Sequence, residues 1–98
     1  MDKDARVVLE TNIDYVLKDP SGWEKTVKYS LSQSGIEADL EQVLAFTAGD
    51  LFGIFYLFIM QKMNRKPTPK EFDEFSDIMK RRAWEIRQAL IKDHLDKK

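Results

Sequence analysis

The chain has 98 residues, 43% of them hydrophobic and 34% charged, and a net charge of −1. That balance is globular rather than disordered, and the length suits a single domain, 1–98, that buries only about 65% of its unfolded surface. No cysteine is present, which excludes a disulfide scaffold, a thiolate zinc site, an iron–sulfur cluster and a thiol nucleophile.

Met1-Asp2-Lys3-Asp4 has no basic-then-apolar signal pattern, so a cytoplasmic location is expected. The small net charge hides an asymmetry. Residues 1–61 hold ten acidic and five basic residues (−5), and residues 62–98 hold eleven basic and seven acidic (+4). The two parts should attract in an antiparallel packing, within one chain or between two.

No alternating run bounded by turn residues suggests a strand. The first helix is expected at about 3–18, where Ala5, Leu9, Ile13 and Val16 recur at helical spacing. Asp19-Pro20-Ser21-Gly22 breaks it. Ser21 with Glu24 reads as a capping box for a second helix, about 22–34, carrying a Trp23, Val27, Leu31 stripe and closed by Gly35. A third helix is expected at about 37–65. Ser34 with Glu37 and Asp39 are rival caps, and acidic residues at its start and basic ones at its end suit the helix dipole. Thr68-Pro69-Lys70-Glu71 is the clearest start signal: Thr68 caps, Pro69 takes the first helical position and Glu71 closes the box. The fourth helix, about 69–95, carries a Phe72, Phe75, Met79, Ala83, Ile86, Leu90 stripe. A second stripe, Trp84, Ile91 and Leu95, calls for a further neighbour.

The third helix holds the main functional signal. Val43 to Met60 contains one charge, Asp50, and its apolar residues fall on every side of a helical wheel. Such a helix is covered all round or sits in a membrane. Ala45, Gly49 and Gly53 recur at i, i+4, i+8, a smooth groove that admits another helix closely. The favoured occupant is the same groove of a second copy, flanked by Phe52, Tyr56 and Met60; the alternative is the chain's own first or fourth helix. A membrane span is disfavoured by Asp50 and by the amphipathic helices around it. Asp50 is expected as a buried polar group paired with Arg82, Arg87 or His94.

Enzyme chemistry finds no support. His94 is the only histidine, and neither a nucleophile elbow nor a Gly-rich phosphate loop occurs. Glu71, Asp73, Glu74 and Asp77 suit a helix N-terminus better than a metal, and no cofactor or metal is expected. Lys62, Arg65, Lys66, Lys70, Lys80 and Arg81 form a candidate phosphate-binding patch, which makes a nucleic-acid-binding or regulatory protein the runner-up, opposed by a pI of about 5.8. Phe46, Phe52, Phe55, Tyr56 and Phe58 allow a further alternative, a small apolar ligand.

The reading is therefore an all-α fold: a long antiparallel hairpin of the third and fourth helices, braced by two shorter N-terminal helices and joined to its copy as a dimeric helical bundle. The expected role is a non-enzymatic interaction, scaffold or regulatory module acting as a homodimer, with another protein as a further partner class.

Overall fold

The computed structural model describes residues 1–96. Among them the regular structure is entirely helical: α1 (Lys3–Lys18), α2 (Pro20–Ser32), α3 (Leu40–Met63) and α4 (Pro69–Asp96). The Asp2 carboxylate caps α1, accepting from the Ala5 N–H at 3.0 Å. Asp19 alone links α1 to α2 and caps α2, accepting from the Gly22 N–H at 3.1 Å. The expected Ser21–Glu24 box does not form. Pro20, with its preset φ and no N–H to lose, opens the helix two residues early and leaves Asp19 as the cap. Glu24 is instead buried, 3.4 Å from Lys28.

Beyond α2, the Ile36 N–H bonds to the Leu31 carbonyl and the Gly35 N–H to that of Ser32, both at 3.0 Å. These are the two bonds of a Schellman turn, and they require the left-handed backbone that Gly35 adopts at φ +78°. Ser34 thus belongs to the end of α2 and does not cap α3. Asp39 does, in a capping box with Gln42 closed by two 2.8 Å bonds. α3 stops at Met63, where Asn64 turns left-handed at φ 53°, two residues short of expectation. At α4 the Thr68–Glu71 box is complete: each side chain accepts the other residue's backbone N–H, at 3.2 and 2.8 Å.

The four helices all pack on one another, and α3 touches the other three. The core takes Ala5, Leu9, Ile13 and Val16 from α1, Val27 from α2, and Val43, Leu51, Phe55 and Ile59 from α3. From α4 it takes Phe75, Ile78, Ile86 and Leu90, while Ala83, expected in that stripe, is exposed. The rings of Phe52, Phe55, Phe72 and Phe75 join α3 to α4, with Phe55 stacked on Phe75 at 4.9 Å. One polar link lies in this interior. The Trp23 Nε1–H donates to Thr47 Oγ1 at 2.8 Å, and that hydroxyl donates to the Val43 carbonyl at 2.7 Å. The oppositely charged parts of the chain meet within the molecule: Lys62 on Asp2 and Asp4, Arg82 on Glu10 and Asp14, Arg87 on Glu41.

Two stability predictions follow from these contacts. Thr47→Val leaves the indole N–H without its acceptor, at about 1 kcal/mol, and thermal unfolding should show Tm lower by about 4–8 °C. Glu71 is buried, and the Arg65 guanidinium at 2.6 Å and the Thr68 N–H hold its carboxyl down at about 2 against an ordinary 4.5. The unfolded chain takes up this proton first, so the stabilisation is complete above pH 4.5 and lost as pH falls toward 2. Glu71→Gln should lower Tm at pH 7 and flatten the Tm-versus-pH curve across that window.

Candidate functional site

α3 is fully buried along one row, and Leu40, Leu44, Phe46 and Phe58 are partly covered against the core beside it. Val43, Thr47, Leu51, Phe55 and Ile59, each four residues on from the last, are its buried residues. Such an i±4 row is a ridge that fits the grooves of neighbouring helices. The opposite side is open. Ala45 and Gly49 are exposed, as are Phe52 (40%), Leu57 (56%), Met60 and Met63, while Gly53 and Tyr56 are half-buried. All six residues expected at an interface (Ala45, Gly49, Phe52, Gly53, Tyr56 and Met60) therefore lie outside the buried row. A methyl group added at Gly49 or Gly53 would meet no atom within 4 Å, so neither α1 nor α4 occupies the small-residue groove. Phe52 is anchored from behind, stacked on Phe72 at 5.9 Å and edge-on to Phe75 at 5.6 Å.

The extent of the open face is unusual for a helix this apolar. The eighteen-residue window that marks α3 has a mean hydropathy of 1.9, yet only 28% of it is buried. By length and composition this helix could cross a membrane. The total accessible surface is 6454 Å². Mass scaling gives about 5,800 Å² for a folded monomer of 11.5 kDa.

Asp50 departs from expectation. It is exposed, at the edge of the open face, and has no hydrogen bond or ion pair among the described residues. Arg82 and Arg87 are held by Glu10, Asp14 and Glu41, and the side chain of His94 lies outside the described residues. The wheel of α3 is apolar on every side, so it does not reveal in advance which side is covered. The apolar surroundings of Asp50 strip water from its carboxyl and raise its pKa above the usual value.

Two of the six residues of the candidate phosphate patch are paired within the chain. Lys62 is neutralised by Asp2 and Asp4, and Arg65 by Glu71. Lys66 and Lys70 stay exposed near the α3–α4 turn, and Lys80 and Arg81 follow ten residues later, about 15 Å along the helix. Of the aromatic residues considered for a ligand cavity, Phe55 is packed in the core and Phe46 lies against Trp23. The apolar groove between α3 and α4, about 290 Å³, is lined instead by Leu44, Thr47, Ala48, Met79 and Trp84 among others. Trp84 and Leu95, expected to need a second neighbour, are 65% and 63% exposed. Among the described residues no three acidic or histidine side chains are grouped to hold a metal ion.

The chain matches no protein-family model, no curated protein and no solved structure.

The open face carries its own prediction. Because the apolar surroundings raise the Asp50 pKa, protonation favours the folded state: the ionised form is disfavoured once pH rises through the folded value. Asp50→Asn should raise Tm at pH 7, and the gain should vanish toward pH 3, where the wild-type carboxyl is itself neutral.

Proposed function

We propose that this protein is a non-enzymatic interaction or scaffold module that works as a homodimer, with the open face of α3 as its interface. The observation that carries the reading is the uncovered apolar side of α3, from Ala45 to Met63, with no charge at its centre. Apolar surface of this extent favours association because covering it releases water, at roughly 25 cal/mol per Å². Two glycines in mid-helix each cost about 1 kcal/mol relative to alanine. The space beside both is empty, so no contact within the chain offsets that cost, whereas a closely packed second helix would.

The same reading takes α3 and α4 as a long antiparallel hairpin braced by α1 and α2. In support, Glu41 at the start of α3 pairs with Arg87 late in α4, while Phe52 and Phe55 meet Phe72 and Phe75 near the turn.

The test is the solution mass across a concentration series without detergent. The expected mass is near twice 11.5 kDa. Gly49→Leu projects a side chain into space that the monomer leaves empty. It should return the mass to that of one chain while helix content is retained. A wild-type monomer at all concentrations, or a Gly49→Leu variant with wild-type mass and Tm, would overturn the proposal. A protein that stays in solution only with detergent would point to lipid instead.

A further inference from the structure

Building on the dimer proposed above, we infer that the second copy packs antiparallel to the first, in the register that sets Gly49 against the partner's Tyr56 and Ala45 against the partner's Met60. The open face of α3 is sorted by size along its length. Its small residues, Ala45 and Gly49, lie toward the N-terminal end, and its large ones, Tyr56, Met60 and Met63, toward the C-terminal end. A parallel pairing sets small against small at one end, leaving a void, and large against large at the other, forcing the helices apart. Both arrangements lose close packing. An antiparallel pairing sets a small residue under a large one in each layer.

A single two-fold axis, at a height between Phe52 and Gly53, satisfies both pairings. At 100° per residue, Ala45, Gly49, Tyr56 and Met60 fall within a 60° arc, so all four point toward one neighbour. Phe52 and Gly53 flank that arc on opposite sides. The two copies of Phe52 therefore meet beside the two-fold axis, each held from behind by its own Phe72 and Phe75. Such a contact is isologous, because each copy offers the same patch, and it closes at two chains.

Charge supports the same direction. Glu37 and Asp39 precede α3, and Lys66 follows it. Among the described residues Glu37 and Lys66 have no ion pair, and the Asp39 carboxylate accepts only the Gln42 backbone N–H. Lys62, Arg65 and Glu41, by contrast, are already paired within the chain. The antiparallel register brings the unpaired acids of one copy level with Lys66 of the other, twice over, and it opposes the two helix dipoles. A parallel dimer would stack like charge on like at both ends.

The absence of cysteine makes disulfide trapping a clean test. Helix axes 8–10 Å apart bring facing Cα atoms within disulfide reach. In the inferred register two copies of Gly49 sit seven residues apart, about 10 Å along the axis, too far to bridge. Gly49→Cys and Tyr56→Cys are purified separately, mixed in equal amounts and oxidised with glutathione disulfide, and the products are weighed intact. The Ala45→Cys and Met60→Cys pair repeats the test in the next layer, so loss of one anchor does not decide the outcome. The expected product is the mixed disulfide, one chain of each variant, in both pairs. Disulfides of a variant with itself would mean a parallel dimer. No disulfide from a protein that weighs as a dimer would mean another face or register. Either overturns this inference while leaving the dimer in place, whereas a wild-type monomer removes both.

Discussion

The fold turns on a mismatch between what α3 carries and what its neighbours can cover. Three amphipathic helices supply enough apolar surface to bury one ridge, Val43 to Ile59, completely and to cover its flanks in part. The ridge is selected by two anchors of different kinds. Thr47 binds the Trp23 indole near one end, and Phe55 stacks on Phe75 near the other. With those set, the small-residue groove faces outward together with Leu57, Met60 and Met63, while Leu44, Phe46 and Phe58 stay partly covered.

Surface charge reinforces this arrangement. The acidic N-terminal part and the basic C-terminal part of the chain are matched across helix pairs, with Arg82 bridging to α1 and Arg87 to the start of α3. Each exposed pair contributes little by itself. Together they tie α4 to α1 and to the start of α3. The apolar face of α3 is left as the part of the molecule least suited to water.

Much of this was legible in the residues, and the failures have physical causes. α1 and α4 were readable because their polar and apolar residues segregate and because Thr68, Pro69 and Glu71 leave little choice of cap. Ser21 misled because a proline one position earlier offered a better start, which a search for capping boxes does not weigh. The open face was harder. A helix apolar on all sides gives no sign of which side is covered, so Asp50 could be read as buried and the glycine groove as filled from within or without. The pairing of Lys62 with Asp2 and Asp4 spans about sixty positions of sequence, and no local pattern announces it.

The turn between α3 and α4 bears on how copies of the chain can meet. Asn64 is left-handed, and Pro67 and Pro69 follow within five residues. One route by which two chains could exchange helices is to straighten this hinge into one continuous rod. Each proline would then lack an N–H for the helical ladder and press its ring on the carbonyl four residues before it, at about 3 kcal/mol apiece. Fusion of α3 and α4 into one continuous helix is therefore disfavoured at this turn.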